Sequence, residues 1–167
     1  MKQILIVRHA KSDRNDPTLA DFDRPLNERG HKNAVEMAKR LVKQDIIPGQ
    51  LVSSPALRAI STANYFADKL GIDRSEIIKI KDVYEASATT LLKVINGFND
   101  DSDITALFGH NPGLSEIAYQ LSDNAGLDNL PTCGMALIEF PFESWSMVSR
   151  GTGKLLLYDF PKSTLQY

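Results

Sequence analysis

Arg8-His9 ends the apolar run Ile4-Leu5-Ile6-Val7, and Gly109-His110 ends the run Ile104-Thr105-Ala106-Leu107-Phe108. Both histidines thus fall where a buried strand would stop. In open α/β sheets, ligands collect outside the carboxyl ends of the strands. Two imidazoles and a guanidinium therefore become candidates for one pocket. Arg58 lies in the first turn of a helix expected after a short strand at Leu51–Ser53. Glu85 lies in a loop after a strand expected at Ile77–Ile80. If these strands run parallel, all four segments finish at the same sheet edge. Phosphoryl transfer is the chemistry that suits such a set. Arginine offers planar paired donors to phosphate oxygens and keeps its charge at any relevant pH. Helix starts after Ser54 and Asn111 would add backbone N–H groups and positive dipole ends. A neutral imidazole nitrogen can attack phosphorus when a hydrogen bond to its other nitrogen holds the tautomer. Two arginines and a second imidazole can neutralise the oxygens of the transferring group. No Walker-type glycine loop is present, so no nucleotide is indicated. No Cys/His spacing suggests zinc. A reaction without metal or cofactor is expected.

Strands must alternate with helices to bring these residues together. Residues 3–8 form a continuous apolar run, the pattern of a strand buried on both faces. Residues 10–26 are polar and Asp-rich with two prolines, a long loop of the kind that often carries function. Asn27 can cap a helix with Ala34, Val35, Ala38, Leu41 and Val42 at helical spacing. Pro48-Gly49 closes that region. Ser54-Pro55 offers a cap and a first-turn proline for a helix with Ala56, Ile60, Ala63, Ala67 and Leu70 on one face, stopped by Gly71. A helix over about 88–98 turns Leu91, Leu92, Ile95 and Phe98 inward. Asp100–Asp103 is acidic and expected to be a solvated turn. After strand 104–108, Asn111-Pro112 repeats the cap-and-proline signal before Leu114, Ile117, Ala118 and Leu121. Met135–Phe140, Ser144–Ser149 and Lys154–Phe160 then suggest strands of an antiparallel hairpin. The expected fold class is α/β. It is a three-layer α/β/α sandwich with a mostly parallel central sheet and an antiparallel C-terminal edge.

The bulk composition agrees. The chain has 167 residues, 43% of them hydrophobic and 24% charged, which predicts one domain over 1–167 with a substantial core. A net charge of -2 leaves no footprint for nucleic acid or an anionic membrane, so any anion site must be a local cluster. The single cysteine, Cys133, excludes an intrachain disulfide and is read as a packing residue. The apolar run after Lys2 is too short for a secretory or spanning segment, and a cytoplasmic location is expected. His31 falls on the polar face of its helix and Trp145 in a packing position.

Four segments in order carry a family resemblance: Ile6-Val7-Arg8-His9-Ala10-Lys11-Ser12, Asp21-Phe22-Asp23-Arg24-Pro25-Leu26-Asn27-Glu28-Arg29-Gly30, Ser53-Ser54-Pro55-Ala56-Leu57-Arg58-Ala59 and Gly109-His110-Asn111-Pro112-Gly113. On these the chain resembles the histidine phosphatase superfamily, of phosphoglycerate mutase-like fold. It is most similar to the small bacterial phosphohistidine phosphatases of the SixA type. The resemblance implies that His9 is the nucleophile and becomes phosphorylated. It implies that Arg8 and Arg58 hold the phosphoryl group, that His110 completes the pocket and that Arg24 contacts phosphate. Ser12 and Asn15 match polar positions of larger members. Glu85 matches their general acid, with Asp21 and Asp23 as alternatives. Ala10 stands where the family usually has glycine. The implied substrate is phosphohistidine on a partner protein, such as a histidine phosphotransfer domain. A small phosphate ester or another phosphoprotein is the alternative, and a non-catalytic phosphate-binding signalling module is a third reading.

Overall fold

The structure is a computed structural model and describes residues 1–163; the last four residues of the expected domain lie outside them. Six strands form one sheet: β1 (Lys2–Arg8), β2 (Gln50–Ser53), β3 (Ile78–Lys79), β4 (Ile104–Gly109), β5 (Met135–Phe140) and β6 (Lys154–Asp159). Their spatial order is β3-β2-β4-β1-β5-β6. β1 to β4 pair in parallel, whereas β5 runs antiparallel to both β1 and β6. The sheet is therefore mostly parallel with an antiparallel edge, in agreement with the sequence.

Helices α1 (Glu28–Lys43), α2 (Leu57–Leu70), α3 (Ala88–Asn96) and α4 (Gly113–Ser122) cover it. Alternation along β1 divides the core. Leu5 and Val7 pack with Ala34, Met37 and Leu41 of α1 and with Ala63 and Phe66 of α2. Ile4 and Ile6 face the opposite layer, with Leu91 and Ile95 of α3 and Leu114 and Ile117 of α4. Successive side chains leave opposite faces of a strand, so a continuous apolar run serves both layers. Asn27 caps α1, accepting from the Gly30 N–H at 2.8 Å. A Cβ on Gly30 would run into the Lys11 carbonyl oxygen, and one on Gly113 into that of Ala86. The absent side chains let two helices approach the loops that border the β1 and β4 ends.

Several local expectations are corrected. Ser144–Ser149 is not a strand. It contains a short 3-10 turn, Trp145–Met147, because Trp145 is fully buried and its Nε1 donates to the Ser102 carbonyl at 2.9 Å. The antiparallel edge is β5 with β6. The Asp100–Asp103 turn keeps its carboxylates in solvent, as expected, and is also tied to the fold: Asp100 accepts from the Trp145 N–H, and Asp103 from the buried Lys2 ammonium. Val42 of α1 is exposed, and Met37 takes the inward place. The second helix starts at Leu57 rather than at Pro55. Ser54 does not cap it in the expected way; its hydroxyl is directed to His110. The long loop 10–26 carries a 3-10 turn at Asp21–Asp23 and a bridge between Ser12 and Leu26.

Candidate active site

Parallel pairing sets Arg8 opposite Gly109 in register, so the residues that follow, His9 and His110, leave the sheet side by side. Their ring centroids lie 5.3 Å apart on the wall of a cavity of about 550 Å³. Arg8, Arg24, Arg58 and Glu85 line the same cavity.

His9 is 7% exposed. Its Nδ1 lies 2.7 Å from the Ala10 carbonyl oxygen. A carbonyl only accepts, so Nδ1 carries the hydrogen and Nε2 of the neutral ring keeps its lone pair. The backbone around it is tied on three sides. The His9 N–H donates to the Gly109 carbonyl, the Cys133 N–H donates to the His9 carbonyl, and the Ala10 N–H donates to Thr62 Oγ1 of α2. Burial pushes the His9 pKa down to about 3; His110, Arg58 and Arg8 act in the same direction against the Ala10 hydrogen bond. His110, 8% exposed, is lowered to about 4 by burial and then by Arg58. Both rings are neutral at physiological pH.

His110 Nε2 lies 2.7 Å from Ser54 Oγ. Ser54 is fully buried and its oxygen already accepts from the Ala56 N–H. Among the described residues its own hydrogen finds an acceptor only at His110 Nε2, which assigns the His110 hydrogen to Nδ1. That Nδ1, Arg8 Nε and Arg58 Nε are buried without a hydrogen-bond partner among the described residues. Buried polar atoms are rarely left so. All three belong to side chains on this one cavity wall, beside a histidine with a free lone pair.

The arginines are held from behind. Arg8 Nη1 donates to the Leu130 carbonyl at 2.9 Å, and burial lowers its pKa, helped by Arg14. Arg58, 5% exposed, donates from Nη1 to the Asp21 carbonyl at 2.7 Å and from Nη2 to Asp21 Oδ2 at 3.0 Å. Arg24 donates from Nε to Asp21 Oδ1 at 3.1 Å and from Nη1 to Ser12 Oγ at 2.6 Å. Tyr84 donates its hydroxyl to Asp21 Oδ2 at 2.7 Å and sets its ring edge-on to His110, with centroids 5.5 Å apart. Asp21 is thereby held well below the usual carboxylate range, by the Tyr84 hydroxyl first and then by Arg58 and Arg24. An ionised carboxylate has no proton to give, so Asp21 does not fit the role of general acid.

Glu85 lies on the wall with a positive φ of 53°, and its carboxylate makes no hydrogen bond or ion pair among the described residues. Ser12 is buried behind Arg24, and Asn15 is exposed with its N–H on Asp13 Oδ1; neither is among the described residues lining the cavity, and Asp23 is not either. Sequence reasoning missed Arg14, Ser87 and Glu116 on the wall and the support given by Tyr84, Thr62 and the Leu130 carbonyl. Arg14 had a signal, a cation in the long loop after Arg8-His9. The Leu130 carbonyl had none, since every residue carries one. Among the described residues no group of three His, Cys, Asp or Glu side chains is placed to hold a metal ion. No described helix is long and apolar enough to cross a membrane.

This geometry meets a known class. The family profile of the histidine phosphatase superfamily, branch 1, matches residues 4–91. The chain belongs to that superfamily and is a phosphatase-type hydrolase. Its structure resembles that of an Agrobacterium tumefaciens protein assigned as the phosphohistidine phosphatase SixA, with TM-score 0.79 and 26% identity over 94% of this chain and 96% of the other. A SixA assigned in Nakamurella multipartitia superposes with TM-score 0.81 at 18% identity, covering 97% of each chain. An uncharacterised chloroplastic protein of Arabidopsis thaliana is 29% identical over 152 residues, covering 86% of this chain and 69% of its own length.

Proposed function

We propose that this chain hydrolyses phosphohistidine on a partner protein through a phosphorylated His9. The observation that carries the proposal is that Arg8, Arg58 and His110, each with a buried nitrogen that has no partner among the described residues, line one cavity with a histidine whose Nε2 holds a free lone pair. Donors fixed in place before the reaction and left without internal acceptors suit the three oxygens of a transferring phosphoryl group. The terminal nitrogens of Arg58 and Arg24 each keep hydrogens beyond those used internally and can add further contacts.

His9 Nε2 attacks phosphorus as the bond from phosphorus to the substrate imidazole breaks. The leaving nitrogen keeps the electron pair of that bond and takes a proton from solvent, which imidazole does readily near neutral pH. Water then attacks the phosphorylated His9, inorganic phosphate departs, and the lone pair returns to Nε2. The likeness to SixA-assigned structures supports a phosphohistidine substrate. The free Glu85 carboxylate on the wall favours a second reading, hydrolysis of a phosphate ester, because an alkoxide leaving group needs a proton. The two are separated by comparing phosphate release from a panel of phosphohistidine proteins and small phosphate esters, with and without a chelator. Turnover of esters alone would overturn the phosphohistidine reading.

A further inference from the structure

Four arginines line the cavity, and one carboxylate meets two of them. Asp21 takes Arg24 on Oδ1 and Arg58 on Oδ2, and its own carbonyl accepts a second donor from Arg58. Arg8 is met instead by the neutral Leu130 carbonyl, and Arg14 makes no hydrogen bond or ion pair among the described residues. The Asp21 side chain is 48% exposed, so its charge keeps part of its hydration and needs no full burial. It projects from the 3-10 turn of the long loop, and the Tyr84 hydroxyl donates to Oδ2, the oxygen that Arg58 also meets.

The geometry points to Asp21 as a built-in counter-anion that weakens the hold of the pocket on phosphate. Acting through Arg58 and Arg24, it cancels part of the field that these cations direct at the bound anion, while keeping both guanidinium planes aligned. A phosphatase must release inorganic phosphate after every turnover, and an unopposed cluster of four arginines would retain it. The inference deepens the phosphatase reading and rests on it.

A purely structural role predicts the opposite sign. If Asp21 only aligned the arginines, removing it would weaken phosphate binding. If it competes for their charge, neutralising it strengthens binding. Titration calorimetry of the full chain with inorganic phosphate separates the two. Asp21→Asn is expected to bind phosphate about tenfold more tightly than the wild type at low ionic strength. The difference should shrink at about 1 M salt, where charges are screened within ~3 Å. Asp21→Ser, a second neutral variant, should behave alike. Unchanged or weaker phosphate binding in a folded variant overturns the proposal, and so does failure of both variants to fold. If neither wild type nor variants bind phosphate, the reading of the pocket itself fails.

Discussion

His9 and His110 leave adjacent parallel strands at the same level and place their rings 5.3 Å apart, tilted by 53°. The carbonyl of Gly109 accepts the His9 N–H, so the backbones are joined where the rings meet. One ring has its lone pair on Nε2 and the other its hydrogen on Nδ1. A free lone pair and a hydrogen-bond donor thus share one wall.

Replacement of His9 tests the first role. His9→Ala should lower turnover by at least about 10³-fold, the scale of losing a nucleophile. It should also abolish labelling by a ³²P-phosphorylated substrate when the reaction is stopped in alkali, which preserves phosphohistidine. A His9→Ala protein that still takes up label would remove His9 from the mechanism.

Arg58 should matter through directed hydrogen bonds as well as charge. Arg58→Lys keeps the cation but loses the planar fork. Its turnover should fall about 10²- to 10³-fold, the cost of one oxyanion donor. Near wild-type kinetics in this variant would mean that Arg58 serves only as a point charge.

Glu85 divides the two substrate readings. Glu85→Gln should leave phosphohistidine hydrolysis within a few-fold of wild type and lower ester hydrolysis about 10²-fold or more. Equal loss on both substrates would assign the carboxylate to a shared step.

Acid should destabilise the native state before the carboxylates titrate. His9 at about 3 and His110 at about 4 bind protons more weakly than unfolded histidine at about 6.5. The unfolded chain therefore takes up protons that the native chain refuses. The stability from their neutral burial is complete above about pH 6.5 and falls as pH drops toward 4. Each ring contributes a slope approaching 1.4 kcal/mol per pH unit, roughly. Asp21, depressed in the native state, adds loss in the same direction below its ordinary carboxylate value. Urea denaturation at about pH 8, 6 and 5 checks the trend; a flat profile would contradict the buried neutral rings.

Gly113 should tolerate no side chain. A Cβ there meets the Ala86 carbonyl oxygen, which is backbone and cannot swing aside. Gly113→Ala should cost about 1–3 kcal/mol in denaturant melts, the range for overpacking. It should also disturb the loop that bears Glu85.

Much of this molecule was legible in its residues because the signals were local. The apolar run after Lys2, the Asn27 cap and the Gly71 stop each predict an element that the structure contains. Arg8-His9 and Gly109-His110 stand at strand ends because strands end where apolar side chains do. Ser54 and the 144–149 segment misled for one reason. A hydroxyl that can cap a helix can equally bind a distant imidazole, and a tryptophan in a strand-like run can be drawn into the core instead.

The chain by itself determined the alternation of strands and helices and the types of residue at the strand ends, since side-chain identity and spacing govern local conformation and burial. Only the tertiary structure decided the chemistry between them. The contact of His110 with Ser54, the gathering of Arg8, Arg58 and His110 on one wall and the meeting of Asp21 with Arg58 and Tyr84 depend on distances between segments far apart in the chain. Hydrogen bonds and Coulomb forces act over a few ångströms in space, and spacing along the chain does not report such distances.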